Sequence, residues 1–447
     1  MKRLILVFAL MAVAACTSES NLPNPTGKGT IRAINAMAGS PAVGFRIEER
    51  LIGSAAFQNV TGATRWDDFS FIFNFEASFL GELTVRRIAS HTQKIDDGRD
   101  YTLVLTGDVA TPVVSVWEGN EREWNGDETI FEVRFANVAE QASVLGPIDV
   151  YFAPDGTAPV DGEQIATLDF GEIMPPIDIE AIEYVLTITR AGDPLDILFQ
   201  SVPALFVPQV KVTIPIFDEN EQGTASLSVL AINSLGGTAR LVDATADPTI
   251  RFIQASIDLA ISDVYDDEML TNLILSDHAF GDITDDMPIA LGQTSHFYTP
   301  AGDTSAVLLE SGLVTTFNTH SNWVVIGTAG NRFVHSFLPN RGSISIYATI
   351  QIYQGAFSNS RVDIYIVDAG VPIDDENTAL FNLAFSVPSP ALAYSAGSYD
   401  VYVTLPNEKT ILGGPFPIDV VDGDVVELMI FDTVDPAVVD IRVIPTQ

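Results

Sequence analysis

One pattern recurs four times along this 447-residue chain, and it limits the fold more than any other feature. Its plainest marker is a phenylalanine in a cluster of small residues. The copies are Ala56-Phe57-Gln58-Asn59-Val60, Asp169-Phe170-Gly171-Glu172-Ile173, Ala279-Phe280-Gly281-Asp282-Ile283 and Ala384-Phe385-Ser386-Val387. The phenylalanines lie 113, 110 and 105 residues apart. Upstream of each is an early apolar run: Ile31 to Asn35, Val133 to Asn137, Ile250 to Gln254 and Ile344 to Ala348. The last three copies add a second run, Ile148 to Tyr151, Ser262 to Tyr265 and Val362 to Tyr365, each carrying Asp, then Val or Ile, then Tyr. A late run follows: Tyr101 to Thr106, Trp323 to Gly327 and Val425 to Phe431, with Ala225 to Ile232 expected to fill this place in the second copy. Such self-similarity marks an array of one supersecondary unit. A unit of about 105 residues with some seven short strands has the size of an immunoglobulin-like sandwich. The phenylalanine of each cluster is expected to plug the space between the two sheets.

The local texture agrees. Short stretches rich in Val, Ile, Phe, Tyr and Thr alternate with clusters of Gly, Pro, Asp and Asn, which read as strands and turns. In Tyr399 to Leu405, Tyr399, Val401, Val403 and Leu405 fall on one face and Asp400, Tyr402 and Thr404 on the other. That alternation suits an antiparallel sheet with one buried face. Long helical patterns are scarce, and Tyr184 to Ile188 reads better as a strand. The expected fold is all-β: about four tandem immunoglobulin-like antiparallel β-sandwiches. Polar boundaries place them at 29–125, 128–240, 246–338 and 342–447, strung as beads on a rod.

The first 15 residues do not belong to this pattern. Lys2 and Arg3 precede an apolar run from Leu4 to Ala15, too short for a spanning helix, which needs about 20 residues. It reads as a signal peptide, 1–15. Cys16, the only cysteine, follows Val13-Ala14-Ala15, and this junction resembles the lipobox of bacterial lipoproteins. The resemblance implies that Cys16 is lipidated, that 16–28 tethers the first sandwich to a membrane, and that Thr17 directs the protein to the outer membrane of a Gram-negative cell. A lone cysteine makes no internal disulfide, and several acyl chains anchor where one binds only marginally.

Charge excludes one class of partner. There are 59 acidic and 22 basic residues, for a net charge of −37. Such a surface repels phosphate backbones, so no nucleic acid is expected. The reading of the charge is solubility. A globular core is affordable at 47% apolar residues, and no second apolar run approaches a membrane span.

The order of a VRFxNA-like first strand, an xDVY second strand, the AFG cluster and a YTLVLTG closing strand is similar to domain of unknown function 4397. That resemblance implies an immunoglobulin-like sandwich in secreted or envelope-anchored bacterial proteins, often in tandem, with no catalytic residues to carry over.

Candidate chemistry is sparse. The chain has no G-x-S-x-G, H-E-x-x-H, P-loop or G-x-G-x-x-G motif, and no catalytic residue is expected. Four of the five histidines, His278, His296, His320 and His335, fall in the third unit. No pair has metal-ligand spacing, so they read as scattered surface histidines. Calcium needs six to eight oxygens. Asp422-Gly423-Asp424 suggests it weakly, against a reading as a solvated turn, and no cofactor is expected. Among the tryptophans, Trp323 reads as core, while Trp66 and Trp124 sit in polar surroundings and are candidate platforms for a glycan. The expected function is non-enzymatic: a lipid-anchored cell-envelope module, structural or binding an envelope protein. The alternative is a carbohydrate- or polymer-binding envelope protein.

Overall fold

The computed structural model describes residues 24–219, 226–234 and 236–445. Residues 1–23, including the signal and Cys16, lie outside them. Four two-sheet sandwiches follow one another, with three short 3-10 turns and no α-helix among the described residues. No helix of the described residues is long and apolar enough to cross a membrane.

The fourth sandwich has the plainest form of the common plan. Its eight strands are Ala348–Gln354, Arg361–Asp368, Leu380–Ala384, Leu392–Tyr394, Gly397–Thr404, Ile411–Val420, Val425–Asp432 and Val439–Ile444. One sheet has the order fourth, first, seventh, eighth, and the other third, second, fifth, sixth. The other three sandwiches keep both orders. The first splits its fourth strand into Asn59–Val60 and Thr64–Asp67, and the second adds Ala204–Leu205 and a ninth strand, Thr238–Leu241.

Pairing is antiparallel except at one place. In every sandwich the first strand runs parallel to the seventh: Lys28–Asn35 beside Arg99–Thr106, Ile130–Asn137 beside Lys211–Asp218, Thr249–Gln254 beside His320–Ile326, and Ala348–Gln354 beside Val425–Asp432. A whole second sheet intervenes between these strands, so no tight hairpin forces them antiparallel.

Two sequence expectations shift here. In the second unit the late strand is Lys211–Asp218, and Leu227–Asn233 is the next strand outward. In the fourth, Ile344 to Tyr347 forms only an isolated bridge, and the first strand begins at Ala348. Both displaced segments are apolar and alternate, which fits a strand without fixing which one.

Each sandwich has its own core, as in the fourth, where Ile350, Ile364, Val403 and Leu428 meet between the sheets. The first strand also buries its other face. Ile31 and Ala33 point into their own core, while Ile34 points the opposite way into a second apolar cluster with Val104 and Trp117. That cluster continues into the second sandwich through Ala136, Val138, Phe217, Leu230 and Ile232. The third and fourth sandwiches share an equivalent cluster, with Ile253, Val324 and Phe337 against Tyr353, Met429 and Phe431. The units are therefore packed in back-to-back pairs, first on second and third on fourth, rather than strung as beads on a rod. Ser345 N–H also donates to Gly39 O at 2.7 Å, joining the first sandwich to the segment before the fourth.

Three of the four phenylalanines, Phe57, Phe280 and Phe385, belong to these interfaces, and none of the four to a sandwich interior. The residue after each, Gln58, Gly171, Gly281 or Ser386, has φ between +58° and +87°. Its N–H donates at 2.7–2.9 Å to the main-chain oxygen of Asn35, Asn137, Gln254 or Gln354, the polar residue ending the first strand. The left-handed turn thus seats on the outer sheet face. Phe57 meets Phe217 of the second sandwich, and Phe280 and Phe385 join the interface of the third and fourth. Phe170 is exposed.

Candidate functional site

The recurring polar residues turn out to hold the fold. Asp149, Asp263 and Asp363, from the Asp-Val/Ile-Tyr runs, are all buried. Each carboxylate spans two turns. Asp363 accepts from the N–H of Asn382 at 2.6 Å and of Asn407 at 2.8 Å. Asp263 accepts from Asp277 N–H at 3.0 Å and Gly302 N–H at 2.8 Å. Asp149 accepts from Gly192 N–H at 2.7 Å and from Gln164 and Thr167 side chains. The first unit has Gly44 at this place and no such clamp.

Between the third and fourth sandwiches lies a buried charge cluster. Asp286 forms an ion pair with Arg251 at 2.7 Å and accepts a hydrogen bond from Arg341 at 2.5 Å, and Arg341 Nη2 lies 2.6 Å from His320 Nε2. Across the interface, Asn322 Nδ2 donates to Glu427 at 3.4 Å. Burial pushes the Glu427 carboxyl up to about 7, against the pull of Asn322, Arg251 and Arg341. Burial pushes His320 down to about 4, helped by Arg341 and opposed by Asp286. His278 and His296 are likewise held down to about 4 by burial. The expectation of surface histidines is therefore overturned: His278, His296 and His320 are buried and His335 is half-buried. His296 sits edge-on to Trp323 with centroids 4.7 Å apart, so the imidazole serves as an aromatic filler.

The candidate tryptophans occupy separate settings. Trp124 is half-buried in the connection between the first two sandwiches. The Arg122 guanidinium lies 3.8 Å from its ring centroid, and Arg122 in turn pairs with Asp178 at 2.5 Å and Glu132 at 3.4 Å. Its stacking face is already covered.

Trp66 is also half-buried, at a seam between sheets. It lies on the edge strand Thr64–Asp67 of one sheet, beside Arg50–Ala55, the edge strand of the other. Its indole packs edge-to-face on Phe71 at 5.5 Å, and Nε1–H donates to Thr64 Oγ1 at 2.9 Å. The seam opens into a surface cleft of about 370 Å³. Lys28, Arg50 and Arg65 line it with a single acid, Asp67. Lys28 pairs with Asp67 at 3.3 Å, and Arg65 with Glu121 at 3.1 Å. Arg50 reaches over the indole, 5.5 Å from its centroid, and no carboxylate among the described residues pairs with it. Sequence reasoning found Trp66 but not these cations, which come from three strands: Lys28 and Arg65 meet through β pairing, and Arg50 meets them across the seam between the sheets.

Asp422 and Asp424 flank a tight turn at Gly423, φ +92°. The Asp424 carboxylate accepts from Val421 N–H at 2.8 Å and so closes its own turn. Among the described residues no three His, Cys, Asp or Glu converge as a metal cage.

No protein-family model matches the chain, and no curated protein matches it. Among solved structures, the Bacillus anthracis TIE protein aligns at 7% identity and a TM-score of 0.15, over 91% of this chain and 69% of that one. The pilus adhesin SpaC from Lactobacillus rhamnosus GG aligns at 9% identity and a TM-score of 0.12, over 93% and 43%.

Proposed function

We propose that this protein is a lipid-anchored module of a bacterial cell envelope, held through Cys16 and acting by contact rather than by catalysis. The observation that carries the reading is the sequence Met1 to Cys16: two bases, a short apolar run, small residues and the chain's only cysteine. Support for a non-enzymatic role comes from the repeated buried carboxylates. Asp263 and Asp363 each have both oxygens on main-chain N–H groups, and Asp149 is bonded three times. Carboxylates bound in this way stabilise turns and are poorly placed to transfer protons. The resemblance to domain of unknown function 4397 belongs to the same reading, and so does placement in the outer membrane.

The test is metabolic labelling with a fatty-acid analogue, followed by membrane fractionation. The native chain is expected to carry the label and to pellet with membranes. Cys16→Ser is expected to lose the label and become soluble, and a labelled or membrane-bound variant overturns the anchor. Crosslinking in the native envelope then identifies the protein partner. A second reading, binding of a glycan, is favoured by the Trp66 cleft.

A further inference from the structure

We propose that the cleft between the edge strands Arg50–Ala55 and Thr64–Asp67 is a binding site for a carboxylate-bearing sugar, with Trp66 as the platform and Arg50 as the anion contact. This deepens the glycan-binding reading and rests on it.

Three observations carry the proposal. The first is size and shape. An open cleft of about 370 Å³ falls within the roughly 300–1,000 Å³ typical of small-ligand sites. The second is the pairing of an indole with an uncommitted guanidinium. A sugar ring offers a face of polarised C–H groups, which suits the negative face of an aromatic ring. Arg50 is exposed and unpaired, and its planar fork accepts a carboxylate in bidentate fashion. It rests over the indole. An incoming uronate displaces that contact, stacks in its place and takes the guanidinium at its edge.

The third is charge distribution. Residues 28–122 hold ten basic and twelve acidic side chains, whereas 123–447 hold ten basic and 46 acidic. The first sandwich is thus close to neutral, while the rest of the chain taken together is strongly acidic and repels an anion. At physiological salt a charge is screened over about 8 Å, so the distant acidic units oppose binding weakly. The corresponding edge strand of the second sandwich is Ile177-Asp178-Ile179-Glu180, and there the Arg122 guanidinium is already paired with Asp178.

The experiment uses the full chain in detergent. Polygalacturonate is compared with its fully methyl-esterified form, which keeps the rings and removes the charges. Binding is read by titration calorimetry and by tryptophan fluorescence. The expected result is binding of polygalacturonate, weakened at least tenfold by esterification, at least tenfold by Arg50→Gln, and progressively by salt. Trp66→Phe should retain part of the binding and Trp66→Leu should lose it. Because Trp66 also touches the core, Arg50→Gln with Arg65→Gln is the control on solvent-facing residues, and its melting temperature should match the native value. Equal binding of the ester, unchanged binding by Arg50→Gln, competition by inorganic phosphate at equal concentration, or no binding at all overturns the proposal. A chain that ignores polygalacturonate yet still pellets with membranes loses this site and keeps its anchor.

Discussion

Asp363 and Asn407 are 44 residues apart, and the carboxylate of one holds the N–H of the other at 2.8 Å. Asn407 has φ +61°, a left-handed conformation that a side chain resists. The carboxylate compensates by accepting the N–H that this turn directs inward. Asp363→Asn replaces one of two acceptor oxygens with a donor facing a donor. Leaving a buried N–H unpaired costs about 1–3 kcal/mol. The variant is expected to lose that much stability in urea, with an unchanged slope. Equal stability of native and variant chains would falsify the clamp.

The residue after each cluster phenylalanine offers a matched pair of substitutions. Gly171 and Gly281 have φ of +84° and +87°. A β-carbon at Gly171 meets open space, but one at Gly281 falls 1.8 Å from Arg442 Nη1. That guanidinium donates to Gly281 O at 2.8 Å across the interface of the third and fourth sandwiches. Gly171→Ala should cost only the backbone strain, about 1–2 kcal/mol. Gly281→Ala should cost more, and replacing Arg442 with Ala beside it should remove the excess. Denaturation of the three variants checks this.

Back-to-back packing predicts two melting transitions rather than four. Trp117 is 3% exposed and belongs to the shared cluster of the first two sandwiches. Trp117→Ala should cost about 3–5 kcal/mol and lower only the transition of that pair. Calorimetry showing four independent transitions, or both pairs shifting together, contradicts the arrangement.

The third sandwich should weaken in acid. His278, His296 and His320 are held near 4 in the fold, below the ordinary 6.5. The unfolded chain binds their protons first, so the stability these neutral rings contribute is full above 6.5 and is lost as pH falls through 4. Glu427 acts in the opposite sense. Its folded value of about 7 lies above the ordinary 4.5, so its contribution is full below 4.5 and is lost as pH rises through 7. Melting temperature against pH should therefore fall on the acid side. Glu427→Gln removes the opposing loss between about pH 4.5 and 7 and should therefore steepen the acid limb.

Much of the strand plan was legible because period-two alternation is a local property. Ser262 to Tyr265 is a strand with the same bounds in the structure, and the run Val362 to Tyr365 lies wholly within the strand Arg361–Asp368. The phenylalanine clusters were legible as repeats and misleading as to place. An apolar side chain facing a neighbouring sandwich cannot be told by composition from one facing its own core. The first strand of the fourth unit slipped for a similar reason, since Ile344-Ser-Ile-Tyr alternates as well as Ile350-Gln-Ile-Tyr-Gln354. The strand-ending Gln354, whose Oε1 accepts from Ala356 N–H at 3.0 Å, is the signal that separates them. The cleft was half legible. Trp66 stood out by type, whereas Lys28, Arg50 and Arg65 become neighbours only through strand pairing and the apposition of the two sheets.

The parallel placement of first and seventh strands fixes where the chain goes next. The eighth strand returns antiparallel to the seventh, so Asn120 lies opposite Arg99, near Lys28. The first, third and fourth sandwiches therefore each carry the chain back to the pole where it entered, so that the second lies alongside the first and the fourth alongside the third. Only the second, through its ninth strand, delivers the chain to the far pole. A strand of eight residues is about 27 Å long at ~3.4 Å per residue. The described residues thus build girth more than reach: sandwiches paired side by side extend about half as far as four set end to end.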